Sequence, residues 1–151
     1  MGSTPQPTSE MAWFRLAGAS LRMTPPVYVC SGSALSEHAM GPRAILVTSL
    51  IHPGTPEDEI ELLASVDGRA WLATTPRLAL SVSGAGDAIA ALFFAHYARS
   101  RAGDLALARA ASSIYGLLRH THAAGGGEIR LVDAQDEFVR PSHAVAVRAL
   151  D

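Results

Sequence analysis

Neither lysine nor asparagine occurs anywhere in the 151 residues, so all 12 basic side chains are arginines. Without a lysine amine the chain can build neither a phosphate loop of the Gly-x-x-x-x-Gly-Lys-Ser/Thr kind nor a Schiff-base site. Cysteine is nearly absent too: Cys30 stands alone, which excludes an intrachain disulfide and any multi-cysteine zinc or iron–sulfur centre. It reads as a small apolar filler in a reducing compartment. No apolar run approaches the roughly 20 residues that a membrane helix needs, and residues 1–10 carry no signal-like core. A soluble, cytoplasmic chain is expected. The 14 acidic residues slightly outnumber the basic ones and the two are interspersed, for a formal charge of −2. With no basic stripe, neither nucleic acid nor an anionic membrane surface is an expected partner.

What is present suits a globular core: 48% of residues are hydrophobic and 17% charged, in a length that fits one domain. Residues 1–33 have a Pro/Ser/Thr texture, interrupted again at Thr24-Pro25-Pro26, and read as irregular apart from a β-prone run at 27–30. From Ala34 the signals become regular. A short helix is expected over 34–40, ended by Gly41-Pro42, and a buried strand over 44–48. Residues 51–59 form a Pro/Gly/acidic loop. Asp67-Gly68 between β-prone runs at 60–66 and 69–74 signals a hairpin. A helix starting near Gly86 places Ile89, Leu92, Phe93 and His96 on one face. A second, over 104–120, aligns Leu107, Ala108, Ala111, Ile114, Tyr115 and Leu118, with Asp104 favourably placed at its amino end. Gly125-Gly126-Gly127 then reads as a connector to a strand at 128–132 and a polar tail. Strands alternating with helices make the fold class α/β.

The chemistry concentrates where a short apolar segment, 78–82, runs into Ser83-Gly84-Ala85-Gly86-Asp87. Glycines let backbone N–H groups converge, and the following helix start presents unpaired donors at its positive dipole end. Such an arrangement holds an anion. Asp87 in the first turn could take a proton from a hydroxyl that attacks a phosphoryl group, while the amides stabilise charge on the moving oxygens. The plainer alternative stays open from the motif alone: Asp87 complements the helix dipole, worth about 0.3–1 kcal/mol, and the glycines make a tight turn.

Gly84-Ala85-Gly86-Asp87, followed by an apolar helix, resembles the Gly-x-Gly-Asp signature of the ribokinase-like superfamily. The stretch 41–49, Gly-Pro-Arg-Ala-Ile-Leu-Val-Thr-Ser, is similar to the strand before the nucleotide loop in that superfamily's pyridoxal kinase branch. Residues 111–115 and 131–136 resemble the same branch's late helix and carboxyl tail. The resemblance covers residues 34–151 and implies the carboxyl-terminal, nucleotide-binding half of a ribokinase-like α/β sandwich. Residues 1–33 match nothing in it. Carried over by position, the resemblance implies Asp87 as base toward the 5′-hydroxymethyl group of pyridoxal and Gly84, Ala85 and Gly86 as the anion hole. It likewise implies Thr48, Thr75, Pro76, Arg77 and Leu78 along the ATP site. ATP and Mg²⁺ would be the cofactors. The family's Asn-x-x-Glu element, associated with magnesium, has no counterpart in a chain without asparagine. The remaining expectations are a non-catalytic remnant or association module, including a homodimer through an exposed edge, or a kinase of another small hydroxymethyl compound.

Other candidates read as structural. His120 and His122, two apart, lack the i,i+4 geometry of a zinc helix. His96 belongs to an apolar face, and His38, His52 and His143 sit in polar surroundings without clustered ligands. The acidic run Glu57, Asp58, Glu59 and Glu61 lacks a calcium-loop pattern and reads as solvated. No metal ligand is assigned.

Overall fold

The computed structural model describes residues 12–16, 19–24 and 43–150, the first two stretches by their backbone alone. The β-prone run at 27–30 and the expected helix at 34–40 lie outside the described residues.

Apolar alternation with period two dictates the sheet. Strand β3 (Ala44–Leu50) sends Leu46 to one face and Ile45 and Val47 to the other. Strand β4 (Glu59–Val66) divides Leu62, Ala64 and Val66 from Leu63, and β5 (Arg69–Pro76) divides Trp71 and Ala73 from Leu72. Both sets are buried, so the sheet is covered on two faces. β4 and β5 form the expected hairpin. Asp67 (φ 48°) and Gly68 (φ 81°) both take the positive φ of a tight primed turn, and Val66 pairs with Arg69 across it. The Arg43 guanidinium grips Asp67 at 2.9 and 3.0 Å, tying the turn to the start of β3.

Residues 1–33 are not wholly irregular: β1 (Ala12–Leu16) and β2 (Ala19–Thr24) pair antiparallel, and β2 runs parallel to β3. The ladder to β3, a partner distant in sequence, makes strands of a segment whose composition favours loops. At the far edge β8 (Val147–Leu150) pairs antiparallel with β5, inside what reads as a polar tail, giving the order β1-β2-β3-β4-β5-β8.

Helix α1 (Ala85–Ser100) and helix α2 (Gly103–Ala123) cover one face of this sheet. α1 buries Ile89, Ala90, Phe93 and Tyr97, with Leu92 and His96 only partly covered. Phe93 and Tyr97 stack at 6.0 Å between ring centroids. α2 is more deeply buried than its expected stripe. Ala106, Leu107, Ala110, Ala111, Ser113, Leu117 and Thr121 are fully enclosed, whereas Ala108, Tyr115 and Leu118 lie at the margin. The helix packs against α1, the sheet and the tail together, so most of its circumference is internal and the small residues alanine, serine and glycine permit the approach. Its first residue, Gly103, leaves no room for a side chain: a Cβ there would lie 2.6 Å from Trp71 Cζ3.

The expected strand at 128–132 shrinks to β7 (Gly127–Glu128), which pairs parallel with β6 (Val82–Ser83). Beyond Glu128 the backbone turns away from the ladder. Arg130 N–H donates to Thr121 Oγ1 at 3.2 Å, and Ala134 N–H closes back on the Arg130 carbonyl. A 3-10 helix, Gln135–Phe138, follows. The tail is then pinned to α2 where Val145 N–H donates to Ser112 Oγ at 3.0 Å.

Candidate functional site

The glycine turn lies between a strand end and a helix start. β6 ends at Ser83; Gly84, at φ 88°, reverses the chain; α1 begins at Ala85 with no side chain capping its free amides. The N–H groups of this first turn have no partner within the helix and stand at its positive dipole end. Gly84 is required by its left-handed backbone, while a Cβ there would meet Ile129 Cγ2 at an ordinary contact distance of 3.4 Å. Asp87 is solvent-exposed, and its carboxylate makes no hydrogen bond or ion pair with the described residues.

A hollow opens on each side of this turn. One, of about 380 Å³, lies between the ends of β3, β4 and β5 and the two helices. Thr48, Thr75, Pro76, Arg77 and Leu78 line it together with Ala85 and Gly86, so five residues read from separate parts of the sequence meet two of the glycine turn. Thr48 and Thr75 are buried hydroxyls at its floor, and Arg77 is an exposed cation at its rim. The other, of about 660 Å³, is more apolar; Gly84, Asp87 and Glu128 give it polar edges, and Leu92, Ile129 and Phe138 give it walls. Gly84, Ala85, Gly86 and Asp87 therefore do not all line one cavity. The turn is the partition between two, with Ala85 and Gly86 facing the first and Gly84 and Asp87 the second.

Several lining residues escape sequence reasoning. Ser49, Ile60 and Leu80 line the first hollow, as do Ile114, Tyr115 and Leu118 of α2, whose helical spacing marks them only as core. Gly125-Gly126-Gly127, expected to be a plain connector, takes positive φ at each residue (95°, 77° and 91°), ends α2 and delivers β7 to the strand that carries the glycine turn. A run of three glycines was the available signal, but its neighbour in space is invisible in one dimension.

Among the described residues no group of three or more His, Cys, Asp or Glu could hold a metal ion, and no helix is long and apolar enough to cross a membrane. His120 and His122 are exposed. His143 is packed edge-on to Tyr115 and lies within hydrogen-bonding reach of Arg119 and Ser142. On α1, burial and then the neighbouring Arg109 and Arg99 push the His96 imidazole below its ordinary pKa.

No protein-family model matches the chain. It is 44% identical over 115 residues to pyridoxal kinase PdxY of Leifsonia xyli, covering 76% of this chain and 41% of that protein. Pyridoxal kinase PdxY of Granulibacter bethesdensis is 50% identical over 102 residues, covering 68% of this chain and 36% of that one. The chain belongs to the pyridoxal kinase family. A third pyridoxal kinase PdxY, of Rubrobacter xylanophilus, is 41% identical over 134 residues, 88% of this chain and 45% of its own. The chain thus spans less than half the length of the pyridoxal kinases it matches. Solved pyridoxal kinases share its ribokinase-like fold. The Leishmania donovani enzyme in complex with ADP and pyridoxamine superimposes with a TM-score of 0.69 at 24% identity, over 79% of this chain and 43% of that one. The Trypanosoma brucei enzyme gives 0.67 at 23%, over 82% and 46%.

Proposed function

We propose that this chain carries the nucleotide-handling part of an ATP-dependent pyridoxal kinase, which phosphorylates the 5′-hydroxymethyl group of pyridoxal. The observation that carries the reading is the partition: one glycine turn divides a hydroxyl-floored cleft from a mostly apolar hollow edged by a free carboxylate. Phosphoryl transfer needs this layout, with donor and acceptor on opposite sides of the moving group. Relatives of the same fold bind ADP with pyridoxamine or pyridoxine.

In this scheme Thr48, Thr75, Pro76, Arg77 and Leu78 line the ATP side. The amides of Gly84, Ala85 and Gly86 hold charge on the transferring phosphoryl oxygens, as preorganised donors at a helix start do. Asp87 accepts the hydroxyl proton as the acceptor oxygen bonds to the γ-phosphorus and the bond to the ADP oxygen breaks. Mg²⁺ would accompany ATP, but the described residues do not fit a protein-built magnesium cage: Asp87 and Glu128 are the carboxylates at the second hollow, and no larger donor group exists. No step is assigned to the metal. Pyridoxal 5′-phosphate formation with Mg²⁺ and ATP by this chain supplemented with the remaining part of a relative, with and without Asp87→Asn, tests the reading. Asp87→Asn should abolish turnover while ATP binding persists, and retained turnover removes Asp87 as the base.

A second reading, an association module that includes a homodimer, draws on one observation. Val132 (78% exposed) and Val139 (77%) present apolar surface near the second hollow. Size-exclusion chromatography separates a monomer from a dimer. A cytoplasmic setting accords with the lone cysteine.

A further inference from the structure

Glu61 belongs to the acidic run that reads as solvated, yet it is 5% exposed. It stands opposite Leu50, where pairing between β3 and β4 resumes after slipping at Thr48 and Ser49. Its Oε2 accepts from Thr55 Oγ1 at 3.0 Å and lies 3.0 Å from His52 Nε2. The set closes on itself: His52 N–H donates to Thr55 Oγ1 at 3.1 Å, and Gly54 N–H donates to His52 Nδ1 at 3.0 Å. Because Nδ1 accepts, the ring proton lies on Nε2, the nitrogen nearest the carboxylate. The connection after β3 thus has a buried side-chain anchor.

The slipped residues border the first hollow. Thr48 and Ser49 both line it, and Ser49 has φ 56°, a backbone state that a residue other than glycine keeps only when its surroundings impose it. No β4 partner is paired with Thr48 or Ser49, so the ladder does not hold this bulge directly. It is bracketed by Val47↔Leu63 on one side and by Leu50↔Glu61 on the other. Ile60 and Leu62, the chain neighbours of Glu61, face the same hollow. Side chains alternate along a strand, so Glu61 points away from the hollow that Ile60 and Leu62 line on either side of it.

We infer that Glu61, His52 and Thr55 form a positioning cluster that holds the Thr48–Ser49 bulge open toward the nucleotide cleft and so sets its ATP affinity without touching ATP. The inference rests on the nucleotide reading above. ATP titration of the purified chain by calorimetry, beside thermal unfolding, tests it. Thr55→Val removes the linking hydroxyl from a partly exposed loop and should weaken ATP binding about tenfold, the effect of losing a hydrogen bond to a charged group. Thr55→Ser, which keeps the hydroxyl, should restore it, and Glu61→Gln should weaken binding as Thr55→Val does. If Glu61→Gln does not fold, the Thr55 pair decides. ATP bound by Thr55→Val as tightly as by the unaltered chain overturns the cluster's role and leaves the nucleotide reading standing. An intact unaltered chain that binds no ATP overturns both.

Discussion

Gly84, just before α1, and His96, on it, show how single residues act here through backbone and charge. Gly84 holds φ 88° against Ile129, so Gly84→Ala should cost about 1–3 kcal/mol in strain and tilt the first amides of the helix. Chemical denaturation would register the loss, and ATP affinity would fall with it. At His96, burial and two arginines disfavour the charged imidazole, so the folded pKa lies below that of the unfolded chain. The unfolded state then takes up the proton first as pH falls. Its stabilisation is complete above about pH 6.5 and is lost as pH drops toward the folded pKa. Thermal unfolding at pH 7.5 and 5.5 should show a smaller acid-induced drop in His96→Gln than in the unaltered chain. An equal drop would remove His96 from the account.

Among the elements, α2 carries most of the packing. Gly103 admits it against Trp71 and Val66, and a Cβ at 2.6 Å from a ring carbon cannot be absorbed by a flexible side-chain tip. Gly103→Ala should therefore destabilise by about 1–3 kcal/mol, although alanine is the better helix former. A higher midpoint in urea would contradict this. Phe93, fully enclosed between α1 and the sheet, should cost about 3–5 kcal/mol as alanine. The β4–β5 hairpin is the most locally specified element: Asp67-Gly68 announces it and the observed φ values match. β7 and β8 are the least so, since each depends on a partner strand remote in sequence.

For the molecule as a whole, the layout favours binding over turnover. Both walls of the first hollow come from residues within 48–118 of this chain, whereas the second is open and mostly apolar. The 151 residues should bind ATP yet form no measurable pyridoxal 5′-phosphate, and should gain that activity when a polypeptide corresponding to the remaining part of a relative is added. Product formation by the chain alone would show that the second hollow suffices to hold the acceptor.

Composition and local pattern settled a good deal. The absence of lysine ruled out two chemistries, the period-two and helical repeats placed β3, the hairpin, α1 and α2 close to their observed bounds, and Ser83 to Asp87 stood out as a glycine turn at a helix start. These are readings of short-range preference, in which each residue's neighbours in the chain are also its neighbours in space. The partition of the glycine turn between two hollows, the burial of Glu61, the strands near the amino end and the β6–β7 pairing were not legible in that way. The partition, the β6–β7 pairing and the ladder from β2 to β3 depend on contacts between segments far apart in the chain, where hydrogen-bond ladders and packing override local propensity, whereas Glu61 is held by Thr55 and His52 nearby in the chain. Ser83 to Asp87 thus announces a glycine turn in one dimension, and folding decides that it faces two hollows.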